Sequence, residues 1–534
     1  MQVLPKKTAP RHKGQEPTPR VPSQFYSFPS PIRGWVLNEN LATAQPGAAR
    51  ILDNWIPTTS GIRAKGGSLK YATLGAAVQA LWSYKNGATE KFFGATSAAI
   101  YEITSPASPT VVPATVVSGL TSGAFVTAQF GTAGGNYQYI VNGTDSPRLY
   151  DGTTFTAITG VSSPAITGVT TSTLSHVFTF ANRIFFIQKN TLSVWYLPVD
   201  AIGGAATEFS FRGVFTKGGS LLFGAKWSLD SGDGLDDKFV VVSTEGEVLV
   251  YEGTNPGSAA DWRKVGLYEI PKAMGLNSHI QAGGDLLIAT EIGLVPISEA
   301  VRRDVAALEA ASVSKAIAPY WQRQARTATT RKFEMMKLPR SNIMLVSHPT
   351  SNTTNTALCV NLQTGAWSRI TGWDVQCLGY FGDTGYFGAA NASVYKADTG
   401  GFDDGVLFTC VYLGQADAMG LYGREKTILQ MRPTFQSTSS ILPYVSALAD
   451  FQETIALAPS ASTVQGGAMW DVDNWDEAFW DATDSYVQQL LWTSVGISGA
   501  WIAPELQISF GSTLTPSVEL VALDAEFTTG ATVT

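Results

Sequence analysis

The chain has 534 residues, and its 36 lysines and arginines against 43 aspartates and glutamates give a net charge of −7. Hydrophobic residues make up 44% of the sequence and charged residues only 15%, below the roughly 25% that is usual in soluble domains. This composition supports a sizeable core, excludes a chain disordered throughout, and argues against a surface that grips nucleic-acid phosphates everywhere.

The N-terminus does not have the pattern of a secretory signal. Lys6 and Lys7 are followed by Pro10 and Arg11, where a signal peptide needs an apolar stretch. No run of 18 apolar residues occurs anywhere, so we expect no membrane-spanning segment. These features predict a soluble product that is synthesised in the cytoplasm of its host cell.

Residues 1–34 contain seven prolines, six lysines or arginines and one acidic residue. A segment of this composition cannot bury a core, so we expect an extended, Pro-rich basic arm. Two interpretations stay open. The arm is either a disordered tail, or it becomes ordered against a neighbouring subunit through Phe25, Tyr26 and Phe28.

A β-hairpin pattern recurs between residues 35 and 404. Short apolar runs flank Gly, Asn or Asp turns in segments that start at residues 92, 137, 183, 238, 285, 342 and 377. A repeat of roughly 40 to 50 residues in an all-β chain is typical of four-stranded propeller blades. We therefore predict a β-propeller-like domain over residues 35–404 with five to seven blades; stacked β-sandwiches are the alternative.

One helix interrupts the strands, at about residues 298–320. Ser298 is a candidate cap, Pro319 a candidate end, and Val301, Val305 and Leu308 form a ragged apolar stripe. Its many alanines permit either packing over a blade edge or a subunit contact.

Residues 405–534 are predicted to form a second, C-terminal β unit with a Trp/Asp-rich loop at 460–485. Carboxylates beside tryptophan are what a glycoside hydrolase uses, and a folded aromatic loop is the alternative interpretation. The acidic candidates are Asp471, Asp473, Asp476, Glu477, Asp481 and Asp484, and the tryptophans are Trp470, Trp475 and Trp480.

A second acidic cluster lies in the Gly-rich sequence LDSGDGLDD. Its carboxylates belong to Asp230, Asp233, Asp236 and Asp237. Oxygen ligands in such a turn are able to hold Ca²⁺, but the cluster lacks the spacing of an EF-hand loop and its terminal Glu. A solvated hairpin turn is the favoured interpretation.

The common catalytic templates are absent from the sequence: there is no phosphate-binding loop, HExxH, GxGxxG or GxSxG motif. Ser312 and Lys315 form an isolated SxxK. The four histidines, and the three cysteines, which form no CxxC pair, show no metal-ligand spacing; they are His12, His176, His279, His348, Cys359, Cys377 and Cys410. We therefore predict no catalytic, cofactor-binding or metal-binding residues, and no enzymatic activity.

Four segments carry a family resemblance. In residues 34–67 an Ala-x-x-Leu-x-Asn-Trp-x-Pro run precedes a Gly-x-Arg turn, with matching residues Ala49, Leu52, Asn54, Trp55, Pro57, Gly61 and Arg63. Residues 176–196 and 245–266 carry the same resemblance. The matching residues of the second of these segments are Asp261, Trp262, Val265 and Gly266. Together with the C-terminal DVDNWDEAFWD and the GISGAWIAPELQISF that follows it, these segments resemble the tail nozzle (tail tubular, or packaged-DNA stabilisation) proteins of short-tailed bacteriophages.

The resemblance implies a structural virion protein located in the tail. Such a subunit is expected to form a six-fold ring below the portal and its adaptor proteins, with tail fibres as further potential neighbours. The ring would retain packaged DNA and open for ejection, and DNA would pass through without sequence-specific binding. A net acidic subunit suits a channel that DNA must traverse, because it repels phosphate.

Two other functions stay open at this point. One is a tail-associated glycan hydrolase or glycan-binding protein that uses two of Asp471, Asp473, Asp476 and Glu477. The other is a propeller that recruits protein partners through its loops.

Overall fold

A computed structural model describes residues 22–41, 45–228, 237–327, 333–351, 354–437, 441–462 and 486–532. Strands dominate these residues, so the predicted all-β class is confirmed. The longest helix in the described ranges, Ala318–Thr327, has ten residues, and none of the described helices is long and apolar enough to cross a membrane.

Six antiparallel sheets are separate propeller blades. Blade 1 consists of Ala80–Asn86, Thr89–Ala95, Ala99–Glu102 and Thr115–Ser118. Blade 2 consists of Val126–Thr132, Gly135–Val141, Arg148–Tyr150 and Phe155–Ala157. Blade 3 consists of Leu174–Phe180, Arg183–Gln188, Ser193–Tyr196 and Thr207–Ser210.

The later blades continue the pattern. Blade 4 consists of Leu221–Trp227, Lys238–Ser243, Glu247–Glu252 and Arg263–Glu269. Blade 5 has three strands, His279–Ala282, Asp285–Ala289 and Leu294–Pro296. Blade 6 consists of Cys377–Phe381, Thr384–Gly388 and Ser393–Ala397, with Ser68–Thr73 as its last strand.

Several blade hairpins turn on two residues with positive φ. Ala181 (47°) and Asn182 (54°) link two strands of blade 3, and Gly382 (52°) and Asp383 (58°) do so in blade 6. Turns of this kind match the right-handed twist of the flanking strands, which explains why short Gly- and Asn-containing loops mark the hairpins in the sequence.

The packing between blades shows that they form a ring. Alternate residues of one strand face opposite neighbours: in blade 4, Val241 packs in a core shared with blade 3, whereas Val240 packs in a core shared with blade 5. Similar cores join blades 1 and 2, blades 2 and 3, and blades 6 and 1. The propeller, rather than the stack of sandwiches, is therefore confirmed.

A nine-stranded sheet fills the interval between blades 5 and 6. Its first four strands continue the ring, and one of them, Ile343–Pro349, shares a core with blade 6. Its strand order is Glu334–Leu338, Ile343–Pro349, Asn355–Asn361, Trp367–Ile370, Ala49–Asp53, Phe408–Gly414, Ile502–Phe510 and Tyr444–Ala449, with Ala461–Ser462 beside Ile502–Phe510.

A seven-stranded sheet lies beside the nine-stranded one. Its path runs through Trp55–Pro57, Ile62–Ala64, Val518–Thr532, Arg424–Ser437 and Tyr486–Gln489. Gln24–Pro29 pairs with Val518–Thr532, and Thr493–Gly499 pairs with Arg424–Ser437. A parallel pair, Ile166–Thr167 and Gly204–Ala205, stands apart from these sheets.

The predicted helix at 298–320 is broken into short pieces, so that prediction is wrong in its extent. The α-helices are Ile297–Arg302, Leu308–Ala311 and Ala318–Thr327, and the 3-10 helices are Thr171–Thr173, Val305–Ala307, Lys315–Ile317 and Pro339–Ser341. Arg303 is extended and Asp304 caps the next turn. Pro319 lies in the first turn of the last helix, where its missing N–H breaks no hydrogen bond.

The sheets do not follow the predicted boundaries at residues 35 and 405. Ala49–Asp53, Trp55–Pro57 and Ile62–Ala64 pair within the two large sheets, together with strands from the C-terminal region. Within the described part of the predicted arm, Gln24–Pro29 is a strand of this chain's own seven-stranded sheet, in which Phe28 is buried and Phe25 is exposed. Residues 1–21 lie outside the described ranges.

Candidate functional site

The first strands of blades 1 to 5 and of the nine-stranded sheet surround a cavity on the propeller axis. It has two halves, of about 490 Å³ and 600 Å³, and Phe125, Val126, Asn277 and Glu334 line both. The first half also has polar side chains from several strands: Thr127, Gln129, His176, Thr179, Lys226, His279 and Gln281. We call the two halves together the axial cavity. Cavities of this size hold small molecules in many proteins.

Glu334 is the carboxylate common to both halves. Burial raises its pKa to about 8, although the backbone amide of Leu378 opposes the shift. No lysine or arginine of the described ranges lies within ion-pair distance of it. Nearby Lys226 pairs with Asp237 at 3.5 Å, and Lys337 donates to the backbone oxygen of Gln281.

Two histidines that are distant in sequence meet at the axial cavity. The ring centroids of His176 and His279 are 5.8 Å apart, and His279 stacks on Phe223 at 4.1 Å. Burial lowers the pKa of His279 to about 4 and that of His176 well below its ordinary value. Both rings are therefore neutral at pH 7. Within the described residues, no three His, Cys, Asp or Glu side chains converge as metal ligands do.

A second polar cluster joins the propeller to the large sheets. Lys65 has no exposed surface and its Nζ lies 2.8 Å from Asp403 Oδ2. The indole of Trp373 donates to Asp403 Oδ1 at 2.7 Å, and Nζ sits 3.9 Å from the centre of the Phe408 ring. Burial lowers the pKa of Lys65, and the Asp403 carboxylate opposes this shift.

Two further ion pairs lie in the same junction. Arg63 binds Asp398 at 2.7 Å, and Arg369 makes two hydrogen bonds to Asp53, at 2.8 and 2.5 Å. Burial alone would raise the pKa of Asp398, but Arg63 reverses the shift and lowers it. We call these three ion pairs the junction cluster.

Most of the acidic residues singled out in the sequence lie outside the described ranges. This holds for all those of the Trp/Asp-rich loop and for Asp230, Asp233 and Asp236. Asp237 is described, and it accepts a hydrogen bond from Ser228. The Ser312 hydroxyl donates to the backbone oxygen of Glu309.

The three cysteines are free, buried thiols in separate places. Burial raises the pKa of Cys359 and of Cys410 to about 12, and that of Cys377 further. His348 is also buried, away from the axial cavity, with Nε2 at 3.5 Å from the Tyr320 hydroxyl. Sequence reasoning missed the axial cavity because Glu334, His176 and His279 belong to no common motif.

No protein-family model matches the chain, and no curated protein matches it. Among solved structures, the computationally designed Ika8 protein covers 62% of this chain and 99% of its own, at 9% identity and a TM-score of 0.34. YCF48 bound to D1 peptide covers 68% and 97%, at 11% identity and a TM-score of 0.36. YCF48 from Cyanidioschyzon merolae covers 62% and 98%, at 10% identity and a TM-score of 0.37. Values this low carry no argument about function.

Proposed function

We propose that the chain is a structural, non-enzymatic subunit of a short-tailed bacteriophage, located in the tail of the virion. In this proposal it forms the nozzle ring, with six-fold symmetry, below the tail adaptor proteins. The ring retains packaged DNA and opens for ejection.

The observation that carries the proposal is where the resemblance falls in the fold. Residues 34–67, which resemble the tail nozzle proteins, run through the junction between the propeller and the large sheets. Asn54, at φ 62°, donates to Thr371 Oγ1 at 2.7 Å and to the Thr409 backbone oxygen at 2.8 Å. Trp55 is fully buried, and Arg63 pairs with Asp398. The matching residues thus hold a particular architecture together, so the resemblance concerns more than a surface loop.

Two properties of the surface agree with a ring that DNA traverses. The net charge of −7 disfavours binding of phosphate to the channel wall. Large apolar side chains on or near the two large sheets are exposed, and a subunit contact would cover such groups: Phe25, Tyr422, Leu457 and Leu491.

Immunogold microscopy on phage particles from the source culture tests the proposal. Antibody raised against the recombinant chain is expected to place gold at the tip of a short tail, and serum taken before immunisation serves as the control. Gold on peripheral fibres, or no gold on particles, would overturn it. Clearing of host polysaccharide by the purified chain would favour the glycan hydrolase, whose Trp/Asp-rich loop lies outside the described residues.

A further inference from the structure

The half of the axial cavity with a volume of about 600 Å³ contains a buried hydrogen-bond acceptor that lacks a donor. Asn355 is only 4% exposed and lines this half, and its Oδ1 has no hydrogen-bond partner. The amide nitrogen of the same side chain is held by Ser347 at 3.3 Å, which fixes the oxygen's orientation. A buried polar atom without a partner is costly, and an unoccupied binding site is one reason for it to persist.

Glu334 lines the same half and adds a negative charge. It has no cationic partner among the described residues. The other polar side chains of this half are amides and a hydroxyl: Gln79, Ser122, Asn277 and Gln376. The half therefore offers one carboxylate and one free carbonyl oxygen, and the described residues bring no positive charge into it.

This set of groups suits one class of ligand. A primary ammonium carries one positive charge and three N–H donors, which match a carboxylate and a free amide oxygen. A divalent metal ion needs several oxygen or nitrogen ligands, and the described residues offer no group of three. An anion would be repelled by the ionised carboxylate of Glu334.

We propose that the axial cavity is a binding site for a primary alkylammonium group, held by Glu334 and Asn355. The site does not depend on the tail nozzle proposal. A free polyamine and a lysine side chain of a protein share this chemistry.

Binding is expected to release a proton. Because Glu334 is largely protonated below its pKa of about 8, the cation must displace that proton to gain its counter-ion. Affinity should rise about tenfold per pH unit up to roughly pH 8 and level off above it, while an alkylammonium stays charged. Three other titratable groups around Glu334 do not change over this range, because His176 and His279 are neutral and Cys377 is a protonated thiol. Lys226, at the other half of the cavity, forms an ion pair with Asp237.

Calorimetric titration of the full chain with n-butylammonium tests the proposal, and 1-butanol is the uncharged control ligand. We expect saturable binding of the ammonium only, with proton uptake by the buffer near pH 7. Glu334→Gln should weaken binding by about tenfold to a hundredfold and abolish its pH dependence. Glu269→Gln, which changes an exposed carboxylate of blade 4, should leave binding unchanged.

Three results would overturn the proposal: no saturable binding of n-butylammonium, equal binding of 1-butanol, or affinity that is unchanged in Glu334→Gln. If that variant fails to fold, the pH dependence and proton release of the natural chain decide instead, and a flat profile overturns the proposal. Titrations with putrescine and with Nα-acetyl-lysine methylamide then identify the source of the ammonium group. The ligand with the higher affinity shows whether the cavity prefers a free polyamine or a lysine side chain.

Discussion

Replacing Asp403 with asparagine would leave the Lys65 ammonium buried without its counter-ion. The shape of the side chain is retained, and its oxygen is still able to accept from the Trp373 indole, which now donates to Asp403 at 2.7 Å. The change therefore removes the negative charge and also puts an amide nitrogen, which cannot accept, in the place of the Oδ2 that now accepts from Lys65 Nζ at 2.8 Å. Breaking a buried ion pair at one partner costs about 3 to 5 kcal/mol, and we expect Asp403→Asn to destabilise the fold by that amount.

The exposed pair Lys217–Glu269 provides a matched control. Its atoms are 2.9 Å apart, close to the 2.8 Å of Lys65–Asp403, but both of its side chains are about half exposed. Exposed pairs contribute at most about 1 kcal/mol, so Glu269→Gln should have little effect. Because the two pairs have nearly the same N–O distance, a difference between the two variants in unfolding free energy reports the effect of burial.

Urea unfolding, followed by both tryptophan fluorescence and circular dichroism, measures these differences. Coincidence of the two curves is required before a free energy is derived, because a chain of this size need not unfold in one step. Lys65→Met with Asp403→Asn completes a double-mutant cycle, and we expect the double variant to lose less stability than the sum of the single variants. Equal unfolding midpoints for Asp403→Asn and Glu269→Gln would refute the reasoning.

The same cluster predicts a pH effect in the variant. Burial lowers the pKa of Lys65 in the folded state, so the folded chain binds fewer protons than the unfolded chain just below the ordinary lysine value near 10.4. Stability contributed by this group therefore rises with pH in that window. The deficit of Asp403→Asn should shrink as the pH is raised from 7 towards 10, since a neutral amine needs no counter-ion.

Two further predictions concern the propeller. The pKa of His279 is about 4 in the folded chain, against about 6.5 in the unfolded chain. The free energy of unfolding should therefore decrease as the pH is lowered from 6.5 towards 4, by up to about 1.4 kcal/mol per pH unit. His279→Phe should reduce this loss, which is measured by comparing unfolding midpoints at pH 7 and pH 5. Gly224→Ala would place Cβ at 2.2 Å from Cε1 of the buried Phe178 ring and should cost about 1 to 3 kcal/mol, whereas Gly160→Ala, whose nearest atom lies at 3.9 Å, should leave the melting temperature nearly unchanged; equal shifts for both would contradict the packing argument.

The repeat is predictable from the sequence because the middle strands of the blades are strongly apolar. The predicted segments that start at 92, 137, 183, 238, 285 and 342 begin at or near the second strand of a blade or, for 342, of the nine-stranded sheet. The first strands give a weaker signal, because they line the axial cavity and carry polar side chains such as Thr127, Gln129 and His176. The residues that form the cavity are thus the ones that hydrophobic periodicity fails to detect.

The junction is not predictable from local pattern for a different reason. Its three ion pairs join residues 316 to 338 positions apart, and periodicity within a short window contains no information on such pairings. The short strands Trp55–Pro57 and Ile62–Ala64 form a local hairpin that resembles any other hairpin of the first repeat, although Ile62–Ala64 also pairs with Val518–Thr532, far along the chain. The predicted boundary at residue 35 therefore assigned them to the propeller.

The path of residues 49–73 limits how the proposed nozzle is able to open. This single stretch supplies a strand to the nine-stranded sheet, two strands to the seven-stranded sheet and the last strand of blade 6. Moving the propeller against the large sheets would break these pairings. It would also separate the ion pairs of the junction cluster and leave their charges without counter-ions, which costs several kcal/mol for Lys65–Asp403 alone. Propeller and sheets are therefore expected to move as one body, so that opening of a ring built from this chain takes place at subunit contacts or in loops.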